Sequence, residues 1–255
     1  MNIYGSSDMG VRRDANQDFF VVTALTPPPR IKGVRKKEDS AFLAVVCDGM
    51  GGAAGGEIAS RLAVSSFEKQ MCESTSRDAV SALSHALSIA NRAVFDRARE
   101  DESLLGMGTT MVAAVAYEHM LAILSVGDSR IYLWHSGHLL LLTHDHSYVQ
   151  QLVDAGQMSA EEARRSAHKN LITRAVGIGA HVTGDTAYCF WEEGDKLLLC
   201  TDGLSGALSE GEICRILSEE SSAEHTVKTL IDAALSSGSQ DNVTALLLVN
   251  TKENQ

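Results

Sequence analysis

Positive charge is in short supply in this sequence: 22 Lys and Arg stand against 33 Asp and Glu among 255 residues, a formal net charge of −11. A surface of that balance repels polyanions, which excludes general nucleic-acid binding and adhesion to an anionic membrane unless a local basic patch intervenes. No apolar run approaches the roughly 18 residues that a membrane-spanning helix requires. The opening residues, Met1 to Asp8, lack the basic flank and apolar stretch of a secretory signal. A cytoplasmic protein without membrane insertion is therefore expected. Cysteines are few and scattered, at Cys47, Cys72, Cys189, Cys200 and Cys214, with no Cys-x-x-Cys pair. Their odd number and placement, mostly inside apolar runs, argue for buried thiols in a reducing compartment and against a disulfide frame or zinc site. Proline is scarcer still. All three, Pro27, Pro28 and Pro29, fall in a stretch at about 26–40 that also holds Arg30, Lys32, Arg35, Lys36 and Lys37. That stretch reads as a solvated loop between strands.

What is present suits a packed core. The chain is 44% hydrophobic and 22% charged, ordinary for a globular protein, and residues 1–255 are expected to form a single domain. Apolar, β-branched or aromatic runs at 18–25, 41–47, 109–117, 120–126, 130–134, 138–142, 186–191, 196–200 and 243–249 read as strands. Many show little alternation, as in Ala41-Phe42-Leu43-Ala44-Val45-Val46, which predicts sheets covered on both faces. Helical spacing is clearest at Val80, Leu83, Leu87, Ala90 and Val94. Further helices are expected at about 57–71, 146–155, 210–218 and around Val227, Leu230, Ile231 and Ala234.

Five segments place an aspartate beside Gly, Asn or a strand end: Asn16-Gln17-Asp18, Cys47-Asp48-Gly49, Gly127-Asp128-Ser129, Thr201-Asp202-Gly203 and Asp241-Asn242. Taken singly, each is a common turn sequence. Taken together, carboxylates converging in one cleft would repel and take up protons unless a polyvalent cation kept them ionised. Oxygen ligands without His or Cys favour Mg²⁺ or Mn²⁺ over Zn²⁺.

In this combination the sequence resembles the metal-dependent serine/threonine protein phosphatases of type 2C, in their bacterial form. The resemblance runs from Ser7 to about Val249, with the motifs in order. It begins with Ser7 to Asp18, then Asp48-Gly49-Met50-Gly51-Gly52 and Gly56 to Ser60, Gly108-Thr109-Thr110, and Gly127 to Tyr132. It continues through Thr143, Asp145-His146-Ser147, Leu152, Gly156, Asn170 to Gly177, Thr201 to Leu204, and Asp241 to Thr244. The fold implied is α+β, a four-layer α-β-β-α sandwich with two central antiparallel sheets flanked by helices. The activity implied is hydrolysis of phosphoserine and phosphothreonine on proteins, by a water activated between two divalent cations, reversing a bacterial Ser/Thr kinase.

Carried over by position, the resemblance makes Asp48 the bridge between two Mn²⁺ or Mg²⁺ ions, with the carbonyl of Gly49 helping to hold one. Asp18, Asp202 and Asp241 complete the set, Asp128 with Asp202 matches a third-metal site, and Arg13 matches the phosphate-binding arginine. A planar guanidinium suits the spread charge of a phosphoryl group, and a cation-bound water needs no Ser, Cys or His nucleophile. The sequence also departs from the pattern. Gln17 stands where many members carry Glu. Met50 and Ala53 stand where members can have histidine, which leaves the general acid unassigned. His144 and His146 could replace it, but Asp145-His146-Ser147 reads better as a helix cap. A polar segment within about 146–170 corresponds to the mobile flap beside the site in bacterial members. Two other functions compete: a phosphoprotein-binding pseudophosphatase, for which loss of Asp48, Asp202 or Asp241 would be expected, and a phosphatase dedicated to one regulatory partner.

Overall fold

The apolar runs become strands of two stacked antiparallel sheets. The computed structural model describes residues 1–31, 41–76 and 78–251. Its strands are β1 (Asn2–Asp8), β2 (Asp18–Leu25), β3 (Ala41–Met50), β4 (Gly108–Thr109), β5 (Met111–Ala116) and β6 (Met120–Val126). They continue as β7 (Arg130–His135), β8 (His138–Leu141), β9 (Asp185–Phe190), β10 (Lys196–Cys200) and β11 (Val243–Val249). One sheet has the order β1-β11-β10-β7-β8, the other β2-β3-β5-β6-β9 with β4 beside β3. The helices are α1 (Gly52–Cys72), α2 (Ala79–Glu100), α3 (Tyr148–Asp154), α4 (Ala160–Arg165), α5 (Asp202–Ser205), α6 (Glu210–Ser218) and α7 (Ala223–Ser236).

Strands buried on both faces explain the missing alternation. In β3, Leu43, Val45 and Cys47 pack under the helices while Ala44 and Val46 face the other sheet. In β11, Val243, Ala245 and Leu247 face α6 and α7 while Leu246 and Leu248 meet the first set between the sheets. The period of two persists, but both phases are apolar. Each fully buried Leu or Val adds about 1.5–3 kcal/mol of transfer free energy. The resulting order, helices, sheet, sheet, helices, is the four-layer sandwich expected.

Four local expectations need correction. Strand β1 is not signalled by the sequence, because Asn2-Ile3-Tyr4-Gly5-Ser6-Ser7-Asp8 carries no apolar run; it forms at a sheet edge, held by pairing with β11 from Asn2↔Val249 to Asp8↔Val243. Helix α1 starts at Gly52, five residues before the expected Glu57. The glycines there serve close packing: a Cβ on Gly49 would lie 2.0 Å from the carbonyl oxygen of Gly56, so the first turn of α1 sits directly on the end of β3. Of the five free cysteines only Cys47 and Cys200 are buried, whereas Cys72 is exposed. The described part of the 26–40 stretch does lie between two strands, but it is only partly solvated: Thr26, Pro27 and Arg30 are exposed, whereas Pro29 and Ile31 are buried and the Tyr117 hydroxyl donates to the Pro29 carbonyl at 2.8 Å. Lys32, Arg35, Lys36 and Lys37 lie outside the described residues.

Helix α2 begins at Asp78, whose side chain accepts from the Ser81 N–H at 2.8 Å. Of its predicted stripe, Leu83, Leu87, Ala90 and Val94 are buried as the spacing predicts, whereas Val80 in the first turn is half-buried. Within that stripe lies Asn91, buried and polar. Its Oδ1 accepts from the Gly177 N–H at 2.8 Å and its Nδ2 donates to the Gly179 carbonyl at 2.9 Å. The turn so held follows Val176, which bridges to Thr109, and the Thr109 hydroxyl donates to the Asp48 carbonyl at 2.8 Å. Asn91→Ala leaves a buried donor and acceptor unpaired and is expected to cost about 2–4 kcal/mol, read as a lower urea midpoint at unchanged slope. A loss below about 0.5 kcal/mol would contradict this account.

Candidate active site

The five aspartates collect where the two sheets meet at one end. Asp18 opens β2 and Asp48 nears the end of β3, where they are register partners. Asp128 follows Gly127 in the β6–β7 turn, Asp202 follows β10 as the first residue of α5, and Asp241 stands two residues before β11. A cleft of about 520 Å³ is lined by Asp48, Gly49, Asp128, Asp202 and Asp241, with Arg12, Arg13 and Asp14 on its rim. Asp18 lies beneath, buried to 5% exposure. The structure thus brings together all the residues singled out from the sequence.

Backbone anchoring is dense. The Asp48 N–H donates to Thr110 Oγ1 at 2.9 Å, and the Gly49 N–H donates to the Gln17 carbonyl at 3.1 Å. Asn242, buried, receives the Gln17 N–H at 2.8 Å and donates to the carbonyls of Met9 and Ala15 at 2.8 and 3.0 Å. It thereby clamps the 9–17 loop that carries Arg13. Arg13 Nη2 donates to Asp241 Oδ2 at 2.5 Å, and this contact raises the pKa of the guanidinium further.

Burial and crowding set the electrostatics. Burial, then the charges of Asp202 and Asp241, push Asp18 up to about 7 even though Thr244 and Thr201 oppose them. Burial and Asp202 push Asp128 up to about 8. Asp48 and Asp202 are raised too, by burial first and neighbouring carboxylates second. Two carboxylate oxygens, Asp18 Oδ1 and Asp202 Oδ1, are buried with no hydrogen-bond partner. An unpaired buried carboxylate oxygen is costly, and a hard divalent cation is the partner that such a donor set fits. Among the described residues no three His, Cys, Asp or Glu side chains close a ready-made cage, consistent with Asp241 being engaged by Arg13. The neighbouring thiols do not compete: Cys47 and Cys200 turn into the helix-covered cores, and burial pushes Cys200 up to about 12.

Three contributors were given no role in holding the site from the sequence. Asn242 entered only as part of a turn and of the Asp241 to Thr244 motif. Lys169, beyond α4, supplies positive charge that stabilises ionised Asp202. His146 is buried, its Nδ1 accepting from the Gly127 N–H at 3.0 Å and its Nε2 lying 3.1 Å from Asp185 Oδ2. It steadies the turn before Asp128 and does not line the cleft, while Ser147 caps α3 by accepting from the Gln150 N–H at 3.2 Å. His144 pairs with Asp154 at 2.9 Å. Met50 lines the cleft, and among the described lining residues there is no histidine to serve as general acid.

Comparison with known proteins gives the same picture. The family model described as Protein phosphatase 2C matches residues 30–247. The serine/threonine phosphatase stp of Listeria innocua is 34% identical over 220 residues, covering 85% of this chain and 87% of that protein. The crystal structure of serine/threonine phosphatase Stp1 from Staphylococcus aureus superposes with a TM-score of 0.86 at 31% identity, covering 97% of this chain and 94% of that one. The catalytic domain of the serine/threonine protein phosphatase PstP, solved in complex with two manganese ions, gives 0.81 at 32% identity, with 96% of each chain covered. With its motifs, its sandwich and its carboxylate cleft all in agreement, the chain belongs to the protein phosphatase 2C family.

Proposed function

We propose that the chain hydrolyses phosphoserine and phosphothreonine on proteins, with Mn²⁺ or Mg²⁺ as cofactor, and so reverses a Ser/Thr kinase. The observation that carries this is the pair of buried, unpartnered oxygens on Asp18 and Asp202 in a cleft with Arg13 at its rim. The names of the relatives and the manganese-bound PstP structure support it. In this proposal Asp18, Asp48, Asp202, Asp241 and the Gly49 carbonyl hold two ions, and Asp128 with Asp202 offers a place for a third. Divalent cations held there would neutralise the carboxylates and supply a water of lowered pKa for in-line attack on phosphorus.

The chain's own residues do the rest. Arg13 offers paired donors to the equatorial phosphate oxygens. Among the described residues the cleft lining has no Ser, Cys or His to form a phosphoenzyme, and the Thr110 hydroxyl is committed to the Asp48 N–H and to Ser129. Residues 1–255 act as one phosphatase domain in this proposal. The excursion from α3 through α4, closed at its base by the Ser147↔Ile172 bridge, is the flap beside the bound phosphoprotein. Among the described residues no helix is long and apolar enough to cross a membrane, which fits action in the cytoplasm.

Chelator-stripped protein is expected to release phosphate from a phosphothreonine peptide only after Mn²⁺ is restored, with little release from phosphotyrosine. Asp202→Asn should lower kcat at least about 10²-fold, since several kcal/mol of charge stabilisation are lost; near-normal kcat would sink the assignment. Arg13→Ala should reduce kcat/KM by about 10- to 100-fold through loss of a charge-assisted hydrogen bond, checked by steady-state kinetics.

A pH dependence follows from the raised carboxylates. Ion-free native protein keeps protons on Asp18 and Asp128 up to about pH 7 and 8, whereas the unfolded chain releases them near pH 4. The native state then binds more protons, so stability falls as pH rises through that window. Thermal melts of chelated protein should drop between about pH 6.5 and about pH 8.5, and Mn²⁺ should close the gap. Equal melting temperatures without metal at both values would contradict it.

A further inference from the structure

Four side chains are linked to one oxygen of Asp18, two directly and two behind them. Thr244 Oγ1 donates to Asp18 Oδ2 at 2.6 Å and Thr201 Oγ1 donates to the same oxygen at 2.9 Å. Ser7 Oγ lies 2.6 Å from Thr244 Oγ1, and Asn16 Nδ2 donates to Ser7 Oγ at 2.8 Å. The Asp18 N–H returns to Asn16 Oδ1 at 3.1 Å, which fixes the sense of that amide.

Proton bookkeeping gives the circuit a direction. In its ionised form, the one a cation would bind, the Asp18 carboxylate only accepts, so Thr244 spends its single hydroxyl proton on it. Ser7 must then donate to Thr244, and Asn16, whose Nδ2 can only donate, feeds Ser7. Thr201 accepts from the Thr244 N–H at 3.1 Å and so also has its proton free for Asp18. Every donor converges on Oδ2, while Oδ1 is equally buried and has none. Random satisfaction of a buried carboxylate would share two donors between its two oxygens. The asymmetry costs free energy in the absence of a partner for Oδ1 and is accounted for if Oδ1 is kept open for one.

We propose that Thr244 and Thr201, with Ser7 and Asn16 behind Thr244, are positioning residues that lock the Asp18 carboxylate by Oδ2 so that Oδ1 is the oxygen presented to a divalent cation. The four do not touch substrate or cation; they act through Asp18. Threonine suits the task because its branched Cβ leaves few rotamers and both residues are fully buried. Their mounting is rigid as well: Ser7 and Thr244 are register partners across β1 and β11, and the Thr201 N–H bonds to the Thr244 carbonyl at 3.2 Å. This inference rests on the metal-dependent reading of the cleft.

The test is Mn²⁺ affinity, measured by electron paramagnetic resonance of free Mn²⁺ during titration of chelator-stripped full chain, with thermal melts to confirm folding. Thr244→Val keeps the shape and removes the donor, and should weaken binding by about 10- to 100-fold, the usual effect of losing an outer partner of a ligand. Thr244→Ser keeps the hydroxyl and should stay within about threefold of wild type. Thr201→Val, which removes the other donor to Oδ2, carries the same expectation as Thr244→Val and stands in for it should that variant not fold. Folded valine variants binding Mn²⁺ like wild type, or Thr244→Ser losing as much as Thr244→Val, would overturn the positioning role alone. Wild-type protein that fails to bind Mn²⁺ would overturn it together with the metal-dependent function.

Discussion

Burying carboxylates together is the constraint on which this structure turns. Asp48 and Asp202 lie together in a setting where burial and like charge both oppose ionisation. Such crowding is unstable on its own terms and is tolerated only because the surrounding elements leave little freedom to relax. The sheets supply that rigidity: Asp18 and Asp48 are locked by strand register, Asp202 by the N-terminus of a short helix, and Asp241 by the Asn242 clamp. The helices and the two-faced burial of the strands serve the same end, holding the strand ends still.

The polar environment of the cleft is graded. At the rim, Arg13 and Asp241 form a half-exposed pair, where water screens the interaction and its contribution to stability is small. Deeper down, hydroxyl and backbone donors replace water around Asp18 and Asp48, and screening falls away. A phosphate entering the cleft therefore meets the Arg13 guanidinium first and a carboxylate floor second.

Much of this could be read from the sequence, and the rest fails for identifiable reasons. The central strands announced themselves through unbroken apolar runs, and α2 through its stripe from Leu83 to Val94. The aspartates were legible because five segments of one chain place an aspartate beside Gly, Asn or a strand end, three of them as Asp-Gly or Asp-Asn. Strand β1 was not, since an edge strand that exposes one side needs no apolar run and is held mainly by its neighbour. The early start of α1 was hidden because glycine normally argues against helix, and at Gly49 and Gly56 close backbone approach overrides that preference. The Arg13–Asp241 pair, the Asn242 clamp and the convergence on Asp18 Oδ2 join residues more than 180 positions apart. No local pattern encodes such distances.

The pairing of β1 with β11 carries a consequence for how the enzyme comes into being. Among the described residues β1 borders only β11 in its sheet, so a strand at residues 2–8 waits for one at residues 243–249 before it has a partner. The 9–17 loop with Arg13 waits likewise for Asn242. A growing chain can raise the helix-covered sheet of β2, β3, β5 and β6 early, but the end where the aspartates gather stays open until residues 241–249 have emerged. Closure of the longest loop in the topology is thus the slow, entropically expensive event, and it coincides with completion of the active site. The site is therefore assembled by the same long-range pairing that completes the sheet.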